Sequence, residues 1–422
     1  MMPSPYPLEY ELGMRYYASD VPGIGGRLRS VPEDFVVSEV SFPAGQEGAY
    51  LICRLTKKNW ELQRAVKEIA RQLGISHRRI AWAGTKDKNA VTSQAISIYN
   101  VPPEAIEQVR LKDITLTVIG RSHTPLTLGS LEANRFEIVI RDCSLDLLQE
   151  RVRAVEGIAV QGIPNYYGLQ RFGVARPVTH LVGEQILREE YESAVALYIG
   201  LSFPDEPPEA RAARDTYLTS RDARRALHEL PVQMTYERSM LHHLAVHPGD
   251  YRGALLVLPQ KLLSLFVSAF QSFLFNCALS RRFDLGLPLN EPEIGDRLLF
   301  SGGREDIVTA RNRTAALQQV TRGRCRIALF IPGSEPIKVH GMMDEAMQHL
   351  MEERGIDASR FQNASEFVRT RYSGALRPIA LQTAIQSSIE ERDVRLQFSL
   401  PPGHYATTVC REFMKADPRM MV

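Results

Sequence analysis

The sequence predicts an α+β protein in which a strand-rich domain is interrupted by a largely helical insertion. Three observations support this prediction. The beginning of the chain is rich in segments where apolar and polar residues alternate, residues 180–282 have mainly helical spacing, and alternation returns near the end. The clearest alternating segments are 27–56, 114–119, 135–141 and 394–400. Strands of this kind favour an antiparallel sheet with one face open to a ligand.

Shorter patterns order the elements within the first domain. Residues 60–73 carry apolar side chains at helical spacing, and 79–83 is a short strand-like run. The run leads into a polar turn at 84–88, and a further strand is predicted at 94–99. Residues 290–340 return to mixed segments that contain glycine. The turn at 84–88 therefore connects two predicted strands.

Composition identifies an ordinary globular chain. Of its 422 residues, 44% are hydrophobic and 24% are charged, which excludes disordered, collagen-like and coiled-coil proteins. The most apolar stretch, 255–275, is interrupted by Pro259 and Lys261, and the N-terminus has no signal-peptide pattern, so we expect a cytoplasmic protein with no membrane span. Five cysteines without a Cys-x-x-Cys pair predict reduced thiols. No obligate protein partner is evident from the sequence.

The charge composition is informative although the net charge is only +2. Nine of the 51 basic residues are lysines and all the others are arginines. A forked, weakly hydrated guanidinium suits phosphates and base faces better than an ammonium does. Base-composition bias in the genome is an equally good explanation of the same excess.

The densest polar cluster is the turn that contains Asp87 between Lys86 and Lys88. Flanking ammonium groups favour an ionised carboxylate, which is then available as a nucleophile or base. The alternative is a solvated turn in which Asp87 is only a capping residue. The glycine spacing here does not match a Walker A phosphate loop.

A second cluster, at 162–173, combines aromatic and polar side chains with three glycines that make a packed helix costly. Tyr166, Tyr167, Gln170 and Arg171 suit stacking on unpaired bases and contact with phosphates. A rigid corner between domains is the alternative. No metal site is predicted, because His243 and His247 lack a His-Glu-x-x-His context.

Seven strings in order resemble the TruD family of pseudouridine synthases over essentially the whole chain. They are Pro32-Glu33-Asp34-Phe35; Gly84-x-Lys86-Asp87-x-x-Ala90-x-Thr92-x-Gln94; Leu128-Gly129-x-Leu131-x-x-Asn134-Arg135-Phe136; Pro164-Asn165-Tyr166-Tyr167-Gly168-x-Gln170-Arg171-Phe172-Gly173; Ser268 to Asn276; Leu376-Arg377-Pro378; and Leu400-Pro401-x-Gly403-x-Tyr405-Ala406-Thr407 with Arg411-Glu412. One such string is weak evidence, whereas seven in order are highly specific.

This resemblance implies an enzyme that isomerises uridine to pseudouridine in tRNA, typically at position 13, without a cofactor. It implies that Asp87 is the catalytic aspartate, that Phe136 stacks on the target uracil and that Asn134 orders the site around Asp87. Two positions depart from the family pattern, since Ala133 replaces a common glycine and Arg29 replaces a common lysine. Arg29 can still form an ion pair with Asp87, although with a different geometry.

Further substrate-binding residues are carried over from the same strings. They are Lys86, Gln94, Tyr166, Tyr167, Gln170, Arg171, Tyr405 and Arg411, in addition to Phe136, Asn134 and Arg29.

The fold implied by the resemblance is a pseudouridine synthase catalytic domain, with a mixed, mainly antiparallel sheet and flanking helices, interrupted by an α/β insertion domain. We place the catalytic domain at 1–162 plus 376–422 and the insertion at 163–375, with an RNA-binding cleft between the two. Two other classes of function stay open from the residues alone. One is an RNA-folding chaperone that has lost catalysis, and the other is a nucleoside hydrolase that uses Asp87 as a general base.

Overall fold

The computed structural model describes residues 1–421, which divide into two compact units. The unit that we call the sheet unit comprises Ser19–Gly162 and the chain from Gln382 onward, and the helical unit comprises Met1–Ala18 and Ile163–Leu381. The predicted boundaries therefore need correction at two places. Residues 1–18 group with the helical unit, because the side chain of Asn276 donates to the Leu12 carbonyl. Residues 376–381 belong to it as well, because they supply strands to its sheets.

The strands are labelled in chain order. They are Met2–Pro3 (β1), Tyr16–Tyr17 (β2), Gly25–Arg27 (β3), Phe35–Val40 (β4), Tyr50–Lys58 (β5), Ile80–Trp82 (β6), Val91–Tyr99 (β7), Ile114–Ser122 (β8), Ala133–Cys143 (β9), Ile163–Pro164 (β10), Arg297–Phe300 (β11), Glu305–Ile307 (β12), Cys325–Ile331 (β13), Ala375–Pro378 (β14), Ala380–Leu381 (β15), Gln386–Glu390 (β16) and Asp393–Leu400 (β17).

The α-helices are labelled in the same way. They are Pro7–Glu11 (α1), Leu62–Gln72 (α2), Pro103–Ile106 (α3), Leu148–Gln161 (α4), Thr179–Leu187 (α5), Tyr191–Gly200 (α6), Pro208–Ser220 (α7), Ala223–Glu229 (α8), Thr235–Val246 (α9), Tyr251–Leu256 (α10), Gln260–Asp284 (α11), Arg313–Thr321 (α12), Met342–Glu352 (α13), Ala358–Val368 (α14) and Ala406–Met414 (α15).

The sheet unit is built on one mixed sheet with the strand order β16-β17-β9-β4-β7-β5-β8; β3 also pairs with β9, and β6 with β7. Only the β4–β7 pair among these is parallel. The alternating segments of the sequence form these strands, so the predicted α+β class and the mainly antiparallel sheet are confirmed. The last strand, β17, pairs antiparallel with β9 although the two strands are far apart in the sequence.

Helix α2 buries the apolar face that its spacing predicted. Leu62, Val66 and Ile69 pack in one cluster with Leu55 of β5 and Ile96 of β7. Glu61 begins the helix by accepting hydrogen bonds from the backbone N–H groups of residues 63 and 64. This packing covers the face of the sheet that carries Leu55.

The helical unit contains α5–α14 and a four-stranded sheet of order β12-β11-β13-β14. Helix α11 is long and apolar enough to cross a membrane by length and composition, and 67% of its most apolar window is buried inside the structure. Buried core helices meet the same criterion. Asn276 on this helix donates to the carbonyls of Leu12 and Tyr167 and accepts from the Tyr167 backbone N–H.

Candidate active site

Two neighbouring rows of side chains cross one face of the sheet unit. Residues that are paired directly across strands point to the same face, so the strand register determines the membership of each row. One row runs Lys57, Thr92, Val37, Phe136 and Phe398, and the next runs Leu55, Gln94, Glu39, Asn134 and Leu400. Charged and amide groups therefore lie inside a sheet face that is otherwise apolar.

The loop between β6 and β7 contains Asp87, and several hydrogen bonds hold it at the sheet. The Gly129 backbone N–H donates to the Ala83 carbonyl at 2.8 Å, and Gln94 Nε2 donates to the Gly84 carbonyl at 2.9 Å. Lys57 Nζ donates to the backbone carbonyl of Asp87 at 2.7 Å. The turn predicted from the sequence is thus a loop whose backbone is held by side chains of the sheet.

Asp87 presents its carboxylate at the surface of this loop. Its Oδ2 lies 2.7 Å from Nη2 of Arg29. The Asp87 side chain is 47% exposed, whereas the Arg29 side chain is 10% exposed. The Arg29 guanidinium also lies over the ring of Phe35, with Cζ 4.1 Å from the centroid. The carboxylate is therefore oriented by a largely buried cation and still accessible to a ligand.

The sequence analysis predicted that the Lys86 ammonium favours the ionised form of the Asp87 carboxylate, but the structure directs Lys86 elsewhere. It is buried, and its Nζ forms an ion pair with Glu39 Oε2 at 2.8 Å. Glu39 has no exposed side-chain surface and also accepts from the Ala95 backbone N–H. The cation at the Asp87 carboxylate is Arg29, and burial makes Lys86 a partner of Glu39 because an unpaired buried charge is costly.

Lys57 is a residue of this site that the sequence analysis missed. It is fully buried, and its burial lowers the pKa of the ammonium to about 8, whereas the charges of Asp87 and Glu61 raise that pKa and the charge of Lys86 lowers it. The strand pattern contains a signal for it. Lys57 continues the apolar face of Leu51, Cys53 and Leu55, so alternation alone directs it toward the interior.

Phe136 lies in a small aromatic cluster. Its ring stacks on that of Phe398 at 5.5 Å between centroids and meets Phe35 edge-on at 6.2 Å, and the residue is 7% exposed. Phe398 was not singled out from the sequence. The predicted stacking of Phe136 on a uracil stays a prediction, and it requires the small exposed part of the ring.

Several buried polar atoms in and beside the two rows have no hydrogen-bond partner among the described residues. They are Arg29 Nε, Thr92 Oγ1, Gln94 Oε1 and Asn134 Oδ1. Such atoms are few in folded proteins and each costs free energy unless a ligand or water satisfies it. A polar ligand bound at the Asp87 loop would supply partners for such atoms.

The predicted RNA-contacting residues of the 162–173 segment lie in the helical unit. Tyr166 is fully buried, and its hydroxyl is 2.8 Å from the Ser280 hydroxyl. Arg171 Nε donates to Ser272 Oγ at 3.0 Å, and Gln170 is half-buried. Burial argues against direct contact of Tyr166 with RNA, which stays a prediction for the other two.

Tyr167 of the same segment has partners that hold it in place. The Arg377 guanidinium lies 4.0 Å from its ring centroid, and the Phe275 ring meets it edge-on at 5.6 Å. Arg377 also donates to Asn165 Oδ1 at 2.9 Å. These contacts fix this part of the segment within the helical unit.

The C-terminal candidates lie at the start of helix α15 and within it. Tyr405 is half-buried and immediately precedes the helix. Arg411 lies within it, is 4% exposed, and is 3.5 Å from Glu412. Substrate contact by either stays a prediction, and the burial of Arg411 argues against it for that residue.

No group of three or more His, Cys, Asp or Glu residues that could hold a metal ion occurs among residues 1–421. Asp87, its cationic partner Arg29 and the aromatic cluster are the groups that this site brings together. An accessible carboxylate that is joined through Arg29 to an aromatic cluster suits a reaction on an extruded base.

Comparison with known proteins identifies the class of enzyme as a pseudouridine synthase acting on tRNA. The family model described as tRNA pseudouridine synthase D (TruD) matches residues 11–413. The chain belongs to this family, and it isomerises uridine to pseudouridine in tRNA.

Relatives match over nearly their entire length. A probable tRNA pseudouridine synthase D of Methanococcoides burtonii is 39% identical, with 98% of each chain covered, and one of Pyrococcus furiosus is 37% identical, with 96% of this chain and 98% of the relative covered. The crystal structure of a putative tRNA pseudouridine synthase D from Methanosarcina mazei superimposes with a TM-score of 0.84, at 36% identity and 98% coverage of both chains.

Proposed function

We propose that Asp87 is the catalytic residue of this synthase and that the uridine it acts on is at position 13 of tRNA. The observation that supports the role of Asp87 is its ion pair with Arg29 on a loop held by the sheet, with almost half of its side chain exposed. Position 13 is supported by the usual specificity of the family that the sequence motifs resemble. The aqueous cytoplasm is the proposed location, and the five buried, free thiols are consistent with it.

The reaction requires the target uridine to leave its stack, at a cost of a few kcal/mol. Stacking of the base on an aromatic ring offsets about 1–3 kcal/mol of that cost, and Phe136 is the proposed ring. Asn134 Oδ1 and Gln94 Oε1 are buried acceptors without partners, so they can receive hydrogen bonds from a base edge.

The chemical steps conserve the atoms of the nucleotide. The Asp87 carboxylate adds to C1′ of the ribose or C6 of the uracil, or it removes a sugar proton, and the N1–C1′ bond breaks. The base then rotates and C5 forms a bond to C1′, which displaces Asp87 from C1′ in the first route and is followed by release of Asp87 from C6 in the second, or is accompanied by return of the sugar proton in the third. The proton on C5 is transferred to N1 through solvent or a base. Each route uses one carboxylate, and none needs a cofactor. An enclosed site keeps the released uracil from diffusing away.

The test is incubation of unmodified tRNA with wild type, Asp87→Asn and Asp87→Ala, followed by carbodiimide–reverse transcription mapping. Wild type should give one modification signal, and both variants should give none, because loss of a covalent catalyst removes several orders of magnitude in rate. Asp146→Asn is the matched control, since Asp146 is an exposed carboxylate paired with Arg151. Modification by Asp87→Ala would remove Asp87 from the mechanism.

The position is tested separately with a tRNA that carries cytidine at position 13. The wild-type enzyme should give no modification signal with that tRNA and should keep its signal with the tRNA that has uridine at position 13. A signal at another uridine would contradict position 13 while leaving the role of Asp87 intact.

A further inference from the structure

Lys57 is the buried cation beneath the Asp87 loop. Its side chain has no exposed surface, and its Nζ donates a 2.7 Å hydrogen bond to the Asp87 backbone carbonyl. Among the described residues no carboxylate lies within ion-pair distance of this ammonium. Taking an ammonium out of water is costly, and one carbonyl compensates for it only in part. A residue placed at such a cost calls for a role other than stability.

The loop is held by three side chains from different strands. Gln94 of β7 holds the Gly84 carbonyl, and Glu39 of β4 holds the Lys86 ammonium. Of these contacts, the one from Lys57 of β5 is made to the peptide of Asp87 itself. The carboxylate is attached to the Cα of that same residue, so a shift of the peptide moves the reacting oxygens with it.

We propose that Lys57 is a positioning residue for pseudouridine formation, which holds the Asp87 peptide so that the carboxylate meets the extruded nucleotide in a reactive geometry. This inference rests on the proposed catalytic role of Asp87. Arg29 orients the carboxylate from its exposed end, and Lys57 holds the backbone from the buried end. A displacement of about 1 Å can slow an enzymatic reaction about a hundredfold.

The charge on Lys57 gives the inference a pH dependence. Burial lowers the pKa of the ammonium to about 8, and the charged groups that act on it are Asp87, Glu61 and Lys86. A charged donor forms a hydrogen bond about twice as strong as a neutral one. The charged hydrogen bond from Lys57 should therefore hold the loop at pH 7 and weaken as the pH rises through about 8.

The experiment compares Lys57→Met with Lys58→Met in the full-length protein. Lys58 is the neighbouring residue on β5, faces the other side of the sheet, and forms an exposed ion pair with Glu33. We measure the single-turnover rate of tRNA modification and the dissociation constant for the same tRNA. Lys57→Met should lower the rate about 10- to 100-fold with an unchanged dissociation constant, and Lys58→Met should change neither the rate at saturation nor its pH dependence.

The pH profile separates positioning from a purely structural role. The wild-type single-turnover rate should fall above about pH 8, and this decrease should be absent in Lys57→Met. Thermal unfolding of both variants is measured in parallel. If Lys57→Met does not fold, Lys57→Gln takes its place, and the wild-type pH profile is a second test. A wild-type rate that is constant from pH 7 to pH 9.5 contradicts the inference.

The possible failures are distinguishable. If Asp87→Asn keeps wild-type activity, the proposed function fails. If Asp87→Asn is inactive while Lys57→Met and Lys57→Gln react at the wild-type rate, only the inference about Lys57 fails. Equal losses in rate and in tRNA affinity would also overturn it, because they indicate a role in binding or in the stability of the fold.

Discussion

Arg29 combines two interactions that depend on the shape of a guanidinium. Its Nη2 meets the Asp87 carboxylate at 2.7 Å, while the flat group lies over the Phe35 ring. The residue adopts a left-handed backbone conformation, with φ of 58°, which costs a long side chain about 1–2 kcal/mol. A lysine, which the family resemblance led us to expect here, supplies the charge without the planar stacking surface.

The first prediction concerns this residue. Arg29→Lys should keep the single-turnover rate within about tenfold of wild type, because the ion pair can re-form. Arg29→Met should lower the rate about a hundredfold or more, because the Asp87 carboxylate loses its oriented partner. Rates are measured at saturating enzyme. Arg27→Met is the control, since Arg27 is exposed and pairs with Asp142. An Arg29→Met protein as fast as wild type would refute the role of the ion pair.

At the scale of elements, the strand register explains what sequence reasoning found at the site and what it missed. The polar turn around Asp87 was visible as a local pattern, but its catalytic role and the position of Arg29 came from the family resemblance. Phe398 joins the site because β17 pairs with β9, and no local pattern reveals a pairing across so many residues. Lys86 was placed beside the wrong carboxylate because Glu39 comes from a strand 47 residues earlier.

The fold itself was more accessible to prediction than the site. Alternation and helical spacing act over a few residues, and the strands β4, β5, β7 and β9 and the helix α2 formed where these patterns predicted. The grouping of residues 1–18 with the helical unit depends on hydrogen bonds such as that between Asn276 and the Leu12 carbonyl. Contacts of this kind are not encoded in a periodic pattern.

The buried pair of Glu39 and Lys86 connects β4 to the Asp87 loop and gives the second prediction. Glu39→Gln leaves the Lys86 ammonium buried without its counter-charge, which should lower the free energy of unfolding of the sheet unit by about 3 kcal/mol. The change is read from urea unfolding monitored by circular dichroism. The double variant Glu39→Gln/Lys86→Met should recover part of the loss, because it removes the unpaired charge.

Glu137→Gln is the control for this prediction. Glu137 lies on the neighbouring strand β9 and forms a partly exposed ion pair with Arg395, a type of contact worth about 0.2–1 kcal/mol. If Glu39→Gln is no more destabilising than Glu137→Gln, the buried pair does not support the loop.

At the scale of the whole molecule, the two ends of the long interruption in the sheet unit lie close together. The chain leaves the sheet unit at Gly162 and returns at Gln382. Gln382 Nε2 donates to the Gln161 carbonyl at 2.9 Å, and the Thr383 N–H donates to the Ala159 carbonyl at 3.0 Å. Both ends of the interruption are therefore held side by side within the sheet unit, as expected for a domain inserted into another.

This arrangement gives the third prediction, that the sheet unit folds without the rest of the chain. A protein in which residues 19–162 are joined by a short glycine linker to 382–422 keeps the whole β16-β17-β9-β4-β7-β5-β8 sheet together with the Asp87–Arg29 pair. It should unfold cooperatively on heating and give dispersed amide signals by NMR. A control that joins residue 150 to 382 removes most of α4, including the buried residues Val152 and Val155, and should lose that cooperativity. Broad, non-cooperative unfolding of the first protein would show that the sheet unit is not an independent domain.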